Sequence, residues 1–563
     1  MALTNTDRPL FSRRSFVAGS AAALSLLLVS GCGKRSVLPA SHGDSDESKT
    51  LKLGISAPSC VDPYNATLSS DIEVASLLFE PLTTCDPVGG AAGPLAASSY
   101  SANASADEFT FTIAEGKFSN GETVDSSAFK RAWERLVDPK SSVVSTHGSS
   151  AAAYLLSLVE GYAELSSGKT TGLSGVSCPD SRTLKVKLTQ PFAEFPVLVS
   201  HVALSPVPQA AIDDPVSYFS KPVGNGPYAF ASTWKDVPSF KIKQNKRYVG
   251  DKPQVKAAKF KIQENSGSAY KLFQAGELDL CEVPIEQAKS AATSRGLSED
   301  GSTLDEGHRL SKVPELSTLS LVFNTRKDVL ADVNVRRAIS LLLDRDGYVK
   351  TLLRDTYIAA DGLIPSTCSG YREKTWEYCS LDVNRAKALL DKDHPDRDGS
   401  RGLTFTLLCA KEGIASKVAE SIVDALKDVG MDITLEAHPS KELASEAAKG
   451  AFDLLLTSWD VPVPSMDMWL YPLFYSGDEN CFNYSGYSDA ETDAKLIAAR
   501  KSTDVETSVA AYQKVEDMVA DQVPMAPIAH PARFVAVSDR FERVSVAGQG
   551  QIDLAKAQVK TDR

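Results

Sequence analysis

The stretch that most constrains this chain lies near its middle, at residues 319–353 (LSLVFNTRKDVLADVNVRRAISLLLDRDGYVKTLL), where the apolar period changes from two to nearly four. Leu319, Leu321 and Phe323 alternate with Ser320, Val322 and Asn324, the pattern of a strand whose end is turned toward polar surroundings. Val335, Ala338, Ile339, Leu342 and Leu343 then recur at helical spacing, with Asp332 or Asn334 able to accept from the free amides at the helix start. Asp344 is placed to cap a further turn carrying Tyr348, Val349, Leu352 and Leu353. A strand running into a helix with one buried face belongs to an α/β fold.

The ends of the chain say where such a fold would work. Arg8, Arg13 and Arg14 precede an apolar run, residues 16–29, that is shorter than the roughly 20 residues of a membrane span. Arg13 and Arg14 within SRRSFV read as a twin-arginine export motif, and Val29-Ser30-Gly31-Cys32 reads as a lipobox that makes Cys32 the site of lipid attachment. A diacylglycerol thioether with a further acyl chain supplies the two anchors that stable membrane attachment requires. Residues 33–50, rich in Ser, Asp and Gly, read as a flexible tether. No later segment is apolar for long enough to span a bilayer, so the rest is expected on the extracytoplasmic face of the plasma membrane. With 563 residues and 43% hydrophobic content the chain can bury a large core. Its 72 acidic against 60 basic residues, a formal charge of −12, argue against a nucleic-acid partner.

Beyond Cys32 the chain carries Cys60, Cys85, Cys178, Cys281, Cys368, Cys379, Cys409 and Cys481. Disulfides are permitted outside the cytoplasm, and sequence does not fix their connectivity. Local pairs are expected: Cys60 with Cys85, tying a first strand to the end of the following helix, and Cys368 with Cys379, closing a short loop around Tyr371 and Trp376. The spacings are not those of a zinc or redox site.

Several chemical signatures fail on inspection. SSGKTTG lacks the glycine spacing of a phosphate loop, and the acidic loop at 391–399 is broken by Pro395 with no glutamate to close a calcium site, so no metal and no cofactor are expected. GxSxG and HExxH are absent, and the Ser166-x-x-Lys169 pair lacks its companion strings, which leaves an exported hydrolase without machinery. Residues 403–408, 414–429 and 433–436 read as a β-α-β unit with a right-handed crossover.

Longer motifs carry a resemblance. Phe323-Asn324, then Val335-Arg336-Arg337-Ala338-Ile339-Ser340 and Asp344-Arg345, resemble the signature of the oligopeptide-binding family, the solute-binding proteins of peptide and nickel ABC importers. FSNGETVDSSAFKRAWERLVDP at 118–139 is similar to a long gapless family pattern, PVGNGPY at 222–228 to its G-T-G-P-Y turn, and Gly276-Glu277-Leu278-Asp279 to its G-x-x-D. The resemblance runs from about residue 51 to about 537 and implies a two-lobed periplasmic-binding-protein-like fold, hinged, with an extra domain on the first lobe. Its boundaries here are expected at 51–83, 207–316 and 531–563 for lobe I, 84–206 for the extra domain and 317–530 for lobe II. It also implies a monomer, a peptide or other small solute in the cleft, and a membrane permease as partner. The tryptophan motif is present at Trp459, and Asn324 and His201 match family positions near the cleft. The aspartate that receives the peptide amine in the family is replaced by Pro462, and an arginine three residues before the tryptophan by Leu456. Asp460 or Asp467 is then expected to substitute.

Overall fold

One long strand, Met525–Val537, belongs to both halves of the molecule. The computed structural model describes residues 50–86, 90–477, 482–547 and 551–560. Arg13, Arg14, Cys32, the tether up to residue 49 and Cys481 lie outside them.

Twelve strands form a single sheet, numbered here β1 (Leu51–Ile55), β2 (Tyr228–Phe230), β3 (Ser239–Gln244), β4 (Ala257–Ile262), β5 (Leu280–Glu282), β6 (Leu310–Pro314), β7 (Ser317–Phe323), β8 (Tyr357–Ala359), β9 (Leu403–Ala410), β10 (Met431–His438), β11 (Leu454–Asp460) and β12 (Met525–Val537). Their order is β10-β9-β11-β7-β12-β5-β1-β4-β3-β2, with β6 and β8 also paired to β12. The early part of β12 pairs with β7 and its later part with β5 and β6. The second chain crossing runs from β6 to β7 beside it, where the Glu315 amide donates to the Pro531 carbonyl at 2.8 Å. Two adjacent crossings make a hinge.

On one side of this hinge, β1 runs parallel to β4 and β5. On the other, β9 runs parallel to β10 and β11, the first pair joined through the helix Ile414–Lys427. Leu319, Leu321 and Phe323 enter one apolar cluster with Val335, Ala338, Ile339 and Ile422, whereas Val322 and Leu455 enter another with Trp469, Tyr512 and Val519. β7 is therefore buried on both faces, which the alternating reading of its sequence does not anticipate.

The helix expected after β7 is present at Val333–Leu341, capped by Asp332, which accepts from the Asn334 amide at 2.8 Å. Asp344 caps the next turn through the Gly347 amide at 2.9 Å. The two arginines of this motif work on the hinge strand. Arg336 donates to the carbonyls of Gln522 and Val523, and Arg345, fully buried, donates to those of Pro527, Ser340 and Cys379. They satisfy backbone acceptors that would otherwise be buried unpaired where the chain enters β12.

A separate antiparallel sheet, Ala97–Ala102, Glu108–Ile113, Thr183–Lys187 and Val176–Asp180 in that order, packs on the helix Ser126–Val137. Asp125 caps this helix by accepting from the Ala128 amide at 2.9 Å. Arg135 from the same helix makes a bidentate buried pair with Asp62, at 2.9 and 2.5 Å, and so fastens this unit to the segment after β1. Gly224 and Gly226 lie in the family-like stretch at 222–228. Neither has a positive φ; a side chain at Gly224 would instead lie 1.8 Å from the Leu78 carbonyl oxygen, so close approach is what excludes one.

The expected disulfides are not formed: Cys60, Cys85, Cys368 and Cys379 are free. The Cys60 thiol donates to the Asp62 carbonyl at 3.3 Å, Cys85 lies 3.1 Å from the Ser200 hydroxyl, and Cys379 is turned toward the Pro527 carbonyl. Each sulfur is seated against a different partner. Burial pushes Cys60 up to about 12 and Cys85 up to about 11, which removes the thiolate needed for exchange.

The two halves also touch through buried side chains. Glu194, buried in the unit built on the separate sheet, accepts hydrogen bonds from Ser465 and, at 3.3 Å, from Ser508 on the opposite side. Burial pushes its carboxyl up to about 7. Because burial raises the folded-state value, this carboxyl's contribution to stability is fully present below the ordinary carboxylate range and is lost as pH rises through about 7. Glu194→Gln is expected to abolish this dependence and to raise stability at pH 8 by up to about 3 kcal/mol, read from denaturant melts at pH 5 and pH 8.

Candidate functional site

The carboxyl ends of parallel strands are where α/β sheets present ligand sites, because no helix covers the sheet there. In this molecule β1, β4 and β5 end on the hinge side at Ile55, Ile262 and Glu282, and β11 ends there at Asp460, paired with Ser317 at the start of β7. A cavity of about 310 Å³ opens at the ends of β1, β4 and β5. Its wall includes Ser56, Ser69, Glu73, Gln263, Glu282 and Arg533.

Glu73 reaches the cavity from the helix Ser69–Leu78. Arg533 comes from β12, just past the crossing, and its guanidinium lies 3.3 Å from Glu73 Oε2 and 3.7 Å from Glu282 Oε2. Glu315, on the other crossing, feels the attraction of Arg533 and the repulsion of Glu282 and Asp460. Burial raises Glu73 and Glu315 while Arg533 lowers both, and the three glutamates hold Arg533 in its charged form. Three carboxylates, Glu73, Glu282 and Glu315, thus gather around one guanidinium. Lys312 is turned away, its ammonium donating to the Tyr357 carbonyl at 3.3 Å over the ring of Phe534.

The expected site residues separate on this frame. Trp459 and Asp460 stand at the hinge end of β11. The indole donates to the Met468 carbonyl at 2.9 Å and meets Phe482 edge-on, and the Asp460 carboxylate is exposed. Asn324 lies at the opposite end of the antiparallel β7–β11 pair, about 20 Å away along a strand of this length. Its amide is spent on the Gly450 and Phe452 carbonyls and on Arg326. His201 is buried and accepts from the Ala203 amide at 3.2 Å, capping a short helical turn; burial pushes it down to about 4, so it is neutral. Asp467 is buried among Tyr512, at 2.6 Å, and Arg500, at 3.3 Å. Asn324, His201 and Asp467 are therefore framework, away from the cavity. In the acidic loop expected to lack metal, Asp391 takes Arg401 at 2.6 Å.

Glu73, Glu282, Glu315 and Arg533 were not foreseen. Two of them left a trace in the sequence: Glu73 falls on the same helix face as Leu77, and Arg533 interrupts a strand, MAPIAHPARFVAV, that is otherwise almost wholly apolar.

Residues 91–481 match the family described as bacterial extracellular solute-binding proteins, family 5. The chain belongs to this family. Among its relatives, the oligopeptide-binding protein OppA of Bacillus subtilis is 25% identical over 552 residues, covering 95% of this chain and 97% of that protein. The probable deoxycholate-binding periplasmic protein YgiS of Escherichia coli is 28% identical over 489 residues, covering 84% and 86%. Among solved structures, HbpA2 from Haemophilus parasuis is similar with a TM-score of 0.79 at 20% identity, covering 91% of this chain and all of that one. The unliganded open form of the murein tripeptide-binding protein MppA gives 0.76 at 22%, covering 91% and 97%. The fold is that of the periplasmic binding proteins, two hinged α/β lobes.

Arg533 is the only cation among the charged groups named around the cavity. Arg533→Gln strands Glu73 and Glu315 as buried carboxylates and is expected to cost roughly 3–5 kcal/mol at pH 8. Without the guanidinium both carboxyls titrate higher in the folded state than in the unfolded one. The deficit therefore grows as pH rises through their folded values and shrinks below the unfolded range, which denaturant melts at pH 5 and pH 8 will show.

Proposed function

We propose that this protein is the lipid-anchored substrate-binding component of an ABC importer, that it captures peptides between its lobes outside the plasma membrane, and that it hands them to a permease. The observation that carries this reading is the polar cavity at the ends of β1, β4 and β5, set against the hinge strand that joins both lobes. Relatives whose names give peptides as their ligands support the solute class, OppA and the dipeptide-binding protein DppE of Bacillus subtilis among them. Trp459 and Asp460, at the end of β11 that pairs with the start of β7 beside the hinge, are the second-lobe residues we assign to the solute. Closure about β12 would shield the peptide's backbone groups from water and present one closed surface to the permease. The protein acts as a monomer in this reading and needs no cofactor.

The lipobox at Cys32 and the twin-arginine motif at Arg13 and Arg14 support export and attachment by lipid alone. Replacing Cys32 with Ala is expected to move the protein from the membrane fraction to the soluble one; continued membrane attachment would refute the anchor.

Pro462 and Leu456, where the family resemblance implies an aspartate and an arginine, favour a second reading in which the solute has no free amine: a sugar, a metal chelate or a capped peptide. Native mass spectrometry after exposure to a mixed peptide pool separates the two. A ladder of added peptide masses is expected, whereas no uptake, or one retained non-peptide mass, would replace the peptide reading with the second.

A further inference from the structure

In a chain whose formal charge is −12, residues 239–261 carry eight basic side chains and a single acidic one, Asp251. Strand pairing turns this run into a surface. Lys259 on β4 stands directly opposite Lys241 on the antiparallel β3 and beside Lys52 on the parallel β1, so three lysines cross three strands in one row. Lys243 and Lys261, each two residues along a strand from this row, share its face. The other face of the same strands carries Leu51, Leu53, Phe240, Ile242, Ala258 and Phe260 into the first-lobe core. On the lysine face all five side chains are half-buried or exposed.

Like charges directly opposed on a sheet are destabilising, and this row sets them side by side across two strand pairs. Edge protection does not account for it. Lysines blunt a sheet at its outer strand, whereas this row runs inward from β3 to β1, and the outer strand β2 carries no charge. Neutralisation from within the fold is sparse. Among the described residues Lys261 pairs with Glu277 at 3.3 Å, while Lys52, Lys241, Lys243 and Lys259 make no ion pair. Asp279, which accepts from the Lys52 amide, is already paired with Arg540 at 2.9 Å. Four uncompensated ammonium groups on one sheet face fit a partner that is extended and negatively charged.

On the reading that Cys32 carries lipid, the chain brings such a partner with it. β1 follows the tether directly, and a flexible chain of the length of residues 33–50 spans about 25 Å. The net charge of the protein is repelled by an anionic bilayer that the lipid does not let it leave, and the repulsion is least when the basic face turns toward the bilayer. We propose that the lysine face of the first lobe, Lys52, Lys241, Lys243 and Lys259, docks on the anionic phospholipid headgroups of the membrane that anchors the chain. The first lobe is then the fixed one, and closure about β12 swings the second lobe toward it. Each lysine at such a surface strengthens binding about fivefold, and salt weakens the effect.

The test reconstitutes the detergent-solubilised full chain into vesicles of phosphatidylcholine, either alone or mixed equally with phosphatidylglycerol. Flotation reads attachment. Acylation by an uncharged N-hydroxysuccinimide ester, mapped by mass spectrometry, reads the accessibility of each lysine. Lys52, Lys241, Lys243 and Lys259 are expected to react about fivefold more slowly on the anionic vesicles, and high salt to remove the difference. Lys417 and Lys427, exposed on the second-lobe helix Ile414–Lys427, are expected to react alike on both. Combining Lys52→Gln, Lys241→Gln and Lys259→Gln is expected to remove the protection of Lys243. A chain that floats with both vesicles while its four lysines react alike on both would overturn the docking face and leave the lipid anchor standing. Equal slowing at Lys417 and Lys427 would overturn it too, since the chemistry itself would then be slower on anionic vesicles. Flotation with neither would overturn face and anchor together. Flotation with the anionic vesicles alone, the four lysines protected, would support the face and overturn the anchor.

Discussion

The structure depends on one strand serving two sheets. β12 pairs with β7 through its first residues and with β5 and β6 through its last, so the backbone hydrogen bonds of both lobes terminate on the same 13 residues. Every feature of the site follows from that sharing. The strand brings Arg533 to the ends of β1 and β5, and β6 delivers Glu315 beside it through the contact with Pro531. It also buries His530 against Thr318 and the Ser317 carbonyl as a neutral ring, held down at about 4 by burial. Burial outweighs the Ser317 and Gly362 carbonyls and Asp361, which would favour a charge there.

Around this strand the protein treats its arginines in two ways. Arg336 and Arg345 make no ion pair among the described residues and donate to backbone carbonyls instead, locking the second lobe onto the entry of β12. Arg533 and Arg135 are matched with acids and sit where separate parts of the chain must be held together. The first pair gives rigidity to one lobe. The second pair sets the electrostatics of the junctions, and of the two it is Arg533 whose acids outnumber it.

Much of this was legible before any coordinates. The change of period at Leu319 to Leu343, the caps at Asp332 and Asp344, and the β-α-β unit around the helix Ile414–Lys427 were all readable, because each depends on neighbours in the chain. Asn324 shows where such reading ends. It was rightly placed at a polar strand end, but which end faces the cleft depends on the antiparallel pairing of β7 with β11, and pairing leaves no local mark. His201 and Asp467 were chosen by chemistry that proved to be spent on a cap and on an internal ion pair. Glu73 and Arg533 were missed because their meaning lies in a contact across 460 residues of chain. Their one local signal, a charge set in an apolar period, is shared with every buried structural pair.

The double membership of β12 also restricts how this sequence can change in length. Phe534 and Ala536 face one apolar cluster while Val535 and Val537 face another, a strict alternation that begins just past the crossing. A single residue inserted between Ala529 and Ala532 would rotate everything downstream by half a turn, pointing Phe534 out of its cluster and Arg533 away from Glu73. Surface loops between the strands can gain or lose residues at little cost. The central strand cannot, and its spacing from Met525 to Val537 is a ruler by which descendants of this fold must keep measure even as their solutes diverge.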